Sequence, residues 1–161
     1  MKSALKKTAQ IIAPDAYPQM LSKPNAARAA ETLRSEQTAA KAQAAMEAQV
    51  PAMRAAILEY VQALENADGE MAVIFEKSHD IRGFAETAGL VTTGRIADIL
   101  CRYMDDMERI GKPLDRTLVA LNVAAIGRAA RAEDGDVAMG DAVAAELAAL
   151  VAKRLADAGQ G

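Results

Sequence analysis

The chain holds a single histidine, His79, and the residues that follow it suggest what its imidazole could do. In the segment SHDIRGFAETAGL, residues 78–90, Arg82 stands three positions and Gly83 four positions beyond His79. On a helix those spacings lie one turn away on the same face, so both residues adjoin the ring in space as well as in sequence. A neutral imidazole is a competent nitrogen nucleophile near pH 7, and a guanidinium one turn away can offset charge that arrives on it. Phosphoryl transfer depends mostly on positioning and charge stabilisation, so an accepting protein needs little more than an exposed ring and a cation. Glycine in a helix interior costs about 1 kcal/mol relative to alanine. At Gly83 that cost has a use if the missing side chain lets a partner reach the ring. The same three residues also suit a plain solvated surface, with Gly83 an incidental weakness.

No other chemistry competes strongly. Asp105, Asp106 and Glu108 form an acidic cluster without a second histidine or a matching carboxylate pattern, which reads as a solvated helix face and gives no metal site. Cys101 is the only cysteine, so an internal disulfide, a zinc cluster and a CxxC redox pair are all excluded, and a reducing compartment is implied. Met71, Met104, Met107 and Tyr103 read as core filling. A glycine-rich loop followed by GK[ST] and the ATP lid of a histidine kinase are both missing, which argues against autophosphorylation from ATP and leaves no cofactor to bind.

The elements that would position His79 read as helices. Met71, Ile74, Phe75, Ser78, Ile81, Ala85 and Ala88 trace one apolar stripe that Gly89 closes, and at roughly 100° per residue His79 falls about 120° from its middle, towards solvent. Met53, Ile57, Val61 and Leu64 define a preceding core-facing helix over 52–66, restarted by Pro51 after an alanine-rich helix that Asn25 caps. Thr92 or Thr93 is the expected cap of a third helix with Ile96, Ile99, Leu100, Tyr103, Met104 and Met107 buried, ending at Gly111. Pro113 opens a fourth, with Leu118, Leu121, Val123, Ala124 and Ile126 apolar. A last helix over about 141–158 carries Val143, Leu147, Leu150, Val151 and Leu155 on one face, which must cover the bundle or a second subunit. The expectation is an all-α, antiparallel up-and-down four-helix bundle with helical additions at both ends.

At 161 residues, a 52% apolar share dominated by alanine and 3% aromatics favour closely spaced helices in one domain. Residues 1–24 form a mostly irregular basic arm, with one short helix over Leu5–Ile12, and 25–161 form a single helical domain with its bundle core over about 50–132. Residues 1–34 carry six Lys or Arg against two Asp or Glu, while the remainder is acidic. The arm reads as a solvated segment or as an electrostatic contact to a partner. Without aromatic interleaving or a recognition motif, nucleic acid is not an expected partner. No secretory signal is expected at the N-terminus and no apolar run reaches the roughly 18 residues of a membrane span, so the expectation is a cytoplasmic protein without membrane contact.

His79, Ile81, Arg82, Gly83, Ala85, Gly89 and Leu90 together resemble the pattern of the histidine-containing phosphotransfer (HPt) family: histidine, apolar at +2, Lys or Arg at +3, glycine at +4, small at +6, then glycine and an apolar residue closing the helix. The likeness extends through RIADILCRYMDDM and the next helix, over roughly residues 50–132. It implies that His79 accepts a phosphoryl group and relays it between receiver-domain aspartates, with Arg82 its electrostatic partner and Gly83, Phe84 and Glu86 on the docking surface. It also implies response-regulator receivers and a hybrid histidine kinase as partners, with magnesium supplied by the receiver. Phe84 departs from the family, which more often has a small residue there. The alternative is therefore an HPt-fold module that docks receivers or kinases without phosphotransfer. A third reading is a kinase-type dimerisation domain, but the chain supplies four bundle helices itself, so a monomer is expected and a dimer is the exception.

Overall fold

A computed structural model of the chain describes residues 22–132 and 137–159. Its described residues form six helices and no strand: α1 (Lys23–Arg34), α2 (Glu36–Glu65), α3 (Met71–Phe84), α4 (Val91–Arg109), α5 (Arg116–Arg131) and α6 (Val137–Gly159). The short helix expected over Leu5–Ile12 lies outside the described residues. None of the described helices is long and apolar enough to cross a membrane. The chain divides between Ala45 and Met46 into two compact units.

In the first unit, α1 buries no residue. It begins at Lys23, ahead of the expected cap Asn25, with Pro24 in the first turn where its missing amide costs nothing. The expected continuous helix from Asn25 to Val50 breaks at Ser35. The Ser35 hydroxyl donates to the Thr32 carbonyl at 2.8 Å and accepts from the Thr38 amide at 3.2 Å, so one side chain ends α1 and caps α2. The opposite correction applies at Pro51, through which α2 runs without interruption. The proline removes one amide donor, and Glu47, whose carbonyl would have received it, is exposed to water.

In the second unit, α2 buries Ile57, Val61 and Leu64. Asp68 and Gly69, both at positive φ, turn the chain into α3. That helix ends at Phe84, short of the expected Ala88, and the chain makes one more turn before Gly89, at φ +75°. There the Leu90 amide donates to the Ala85 carbonyl at 2.7 Å, closing the turn as a left-handed glycine cap does. The turn delivers the chain directly into α4, so neither threonine caps it: the helix starts at Val91, and Thr93 is buried.

Helix α4 packs against α3, α5 and α6, and buries Ile96, Leu100, Tyr103 and Met107 among others. The Asp115 carboxylate caps α5, accepting from the Thr117 and Leu118 amides at 2.9 and 3.2 Å, in place of the Pro113 start. The Asp115 amide in turn donates to the buried Tyr103 hydroxyl at 2.8 Å, tying the cap to α4. The buried stripe of α5 is Leu118, Val119, Asn122, Ile126, Gly127 and Ala130, leaving Leu121 49% exposed and Ala124 exposed. On α6 the buried positions are Ala144, Leu147, Val151 and Ala158, with Val143 and Leu150 exposed. Asn122 on α5 and Ala144 and Ala158 on α6 face the core while Leu121, Val143 and Leu150 stay outside, so the largest side chains are a poor guide to the buried face.

Candidate functional site

His79 is carried in the third turn of α3, on the exposed side, while its neighbours Ser78 and Ile81 are fully buried. Two side chains hold the ring. Phe75, one turn earlier and half-buried, lies with its ring centroid 6.2 Å from the imidazole at an interplanar angle of 35°. Arg82, one turn later, places Nη2 3.0 Å from His79 Nδ1. Arginine can only donate, so Nδ1 is the acceptor in this contact and the neutral ring carries its proton on Nε2.

Arg82 is itself positioned from the next helix. Its Nη1 lies 3.5 Å from Asp98 Oδ1 on α4, and Asp98 Oδ2 accepts from Arg102 Nε at 2.8 Å. The carboxylate thus sits between two guanidiniums, and the 3.5 Å contact is long enough to be given up readily. The other cation near the histidine is committed elsewhere: Lys77 contacts Glu76 at 2.6 Å and Asp80 at 3.6 Å, and lies 5.6 Å from the centre of the Tyr60 ring. Its pKa is raised, first by the hydrogen bond it donates to Glu76.

Gly83 opens the surface beside this group. A Cβ built there would meet no atom within 4 Å, so the missing methyl relieves no internal clash. Phe84 follows with half its surface exposed, and Glu86 is exposed on the turn beyond. The structure therefore brings His79 and Arg82 into contact, and sets Gly83, Phe84 and Glu86 along the end of the same helix and the turn that follows it. Asp98 and Phe75 were not singled out as site residues by sequence reasoning. The spacing of Asp98 and Arg102 reads as an ordinary i,i+4 pair; only the approach of α4 to α3 turns it into a contact with Arg82.

Cys101 is fully buried, and desolvation pushes its thiol up to about 11, against the pull of Arg82, which keeps it protonated and unreactive at neutral pH. Asp105, Asp106 and Glu108 lie along α4, with Asp106 paired to Arg109, and no group of three or more potential metal ligands occurs among the described residues. No family model, curated protein or solved structure matches the chain.

Proposed function

We propose that the chain is a phosphorelay intermediate, in which His79 takes a phosphoryl group from a receiver-domain aspartyl phosphate and passes it to another receiver aspartate. The observation that carries this reading is an exposed imidazole held 3.0 Å from a guanidinium, beside a helical glycine with open space where its side chain would be. A reading of α2 to α5 as an antiparallel four-helix bundle of the HPt kind accompanies it, with the sequence pattern over residues 78–90 as its support.

In the forward step a ring nitrogen lone pair attacks phosphorus, the bond from phosphorus to the aspartyl oxygen breaks, and the carboxylate leaves. The reverse step returns the group to a second carboxylate. The lone pair is on Nδ1, the atom Arg82 covers, so the guanidinium has to release the ring before attack or before a change of tautomer. Incoming phosphoryl oxygens offer it a stronger, charge-assisted acceptor than the imidazole, and Asp98 keeps it within reach meanwhile. Magnesium belongs to the receiver in this scheme, and His79 needs no cofactor of its own.

The second reading, a docking module without turnover, draws on Phe84, whose half-exposed ring beside Gly83 offers an apolar contact to a partner whatever happens at the imidazole. One assay separates the two. With phosphorylated receivers, label should move onto the wild type and not onto His79→Gln, and Arg82→Ala should slow transfer by about tenfold or more. Equal receiver binding by wild type and His79→Gln with no label on either would establish the docking module instead.

A further inference from the structure

Away from His79, the helices α4, α5 and α6 border a cavity of about 430 Å3. Its wall is mostly aliphatic, with Leu90, Ile96, Leu121, Val143 and Leu147 contributing, and Leu121 and Val143 are among the large apolar side chains left exposed on the surface. The volume lies in the range of small-molecule sites, which combine such walls with a few placed polar groups.

Three polar residues, Thr92, Thr93 and Arg128, interrupt the wall, and two of them stand out. Thr93 lines the cavity at 1% exposure, and its hydroxyl has no hydrogen-bond partner among the described residues. A buried hydroxyl is normally paired, so this one is unexplained by the fold alone. Arg128 lines the cavity from α5 and is exposed, and it forms no ion pair among the described residues, whereas Arg95 is paired with Asp141 and Arg131 with Glu65. A basic residue in the last turn of a helix suits the helix dipole, but the dipole calls for neither an aliphatic hollow nor an unpaired hydroxyl beside it.

We propose that this cavity binds an amphiphilic monocarboxylic acid, with its apolar body against Ile96, Leu121, Val143 and Leu147 and its carboxylate taken by Arg128 and the Thr93 hydroxyl. Arg128 is the one charged side chain in the wall among the described residues, which matches a single negative charge, and a carboxylate has lone pairs enough for the guanidinium fork and a hydroxyl together. The site is separate from the His79 face and does not depend on phosphotransfer.

Calorimetric titration of the full chain with decanoate, below its micelle concentration, tests the assignment. Saturable binding at one site per chain is expected, with decanol about tenfold weaker. Arg128→Gln and Thr93→Val should each weaken decanoate by a similar factor, and Ala124→Trp, which fills the hollow from an exposed position, should abolish binding, with helical circular dichroism unchanged in all three. Absence of saturable binding, equal affinity for decanol, or undiminished binding by Ala124→Trp would overturn the proposal. So would a dimer that Val143→Glu dissociates and that binds no decanoate, since a second copy would then cover this face.

Discussion

Gly83 is the residue at which helix stability and the proposed approach of a partner would pull in opposite directions. It occupies the last turn of α3, has ordinary helical backbone and leaves open space where a methyl group would sit. Gly83→Ala should therefore raise stability by about 0.5–1 kcal/mol in urea unfolding, through helix propensity alone. If the glycine serves partner approach, the same variant should slow phosphotransfer to His79; a more stable protein with unchanged transfer would make Gly83 an incidental weakness after all. The contact between His79 and Arg82 was legible in the sequence because it is local, within one helical turn. Asp98 was not, since its tie to Arg82 depends on how α4 lies against α3, and no spacing within one helix encodes that.

At the scale of the elements, α2 and α5 are joined near their ends by Arg131, whose Nη1 and Nη2 both donate to the Glu65 carboxylate. Gly127 makes room for the pair: a Cβ there would meet Glu65 Oε1 at 2.2 Å and Arg131 Nη1 at 2.9 Å. Arg131 holds the Glu65 carboxyl below its ordinary value of 4.5, mainly through the hydrogen bond and against a smaller desolvation effect. A carboxyl depressed in the folded state contributes stability above its unfolded pKa and loses it as pH falls through the folded one. The pair is largely exposed and screened by solvent, so Arg131→Met should cost only a small part of the stability at pH 7. That difference from wild type should shrink to nothing as urea unfolding is repeated from pH 5 downwards; a difference that grows on acidification would refute the assignment. Helix ends were the least legible feature. Ser35 and Asp115 are good cap residues in plain view, yet so are Asn25, Thr92 and Thr93, and residue type alone does not say which of them caps. The closure of α4 at Gly111 was read correctly because positive φ leaves few alternatives, whereas α3 ends a turn before Gly89.

Over the second unit as a whole, α4 carries the core. Its buried face meets three helices, and Leu100 at its centre is fully buried. Leu100→Ala should destabilise by about 2–5 kcal/mol in denaturant unfolding, because the surrounding helices close a cavity only in part. A cost below 1 kcal/mol would mean that α4 is not the shared wall of this core. The all-helical class was legible from alanine content, sparse aromatics and 3.6-residue periodicity. The buried faces of α5 and α6 were less so: Val119, Asn122 and Gly127 go inside α5 while Leu121 stays out, and at Gly127 the Glu65–Arg131 pair leaves no room for a side chain.

The central claim concerns one nitrogen atom's worth of chemistry on His79, and it is tested most directly by mapping the phosphate after incubation with a phosphorylated receiver. The account predicts a single acid-labile, base-stable phosphoramidate on the peptide containing His79, lost in His79→Gln. An acid-stable phosphate, or label that persists in the variant, would contradict it.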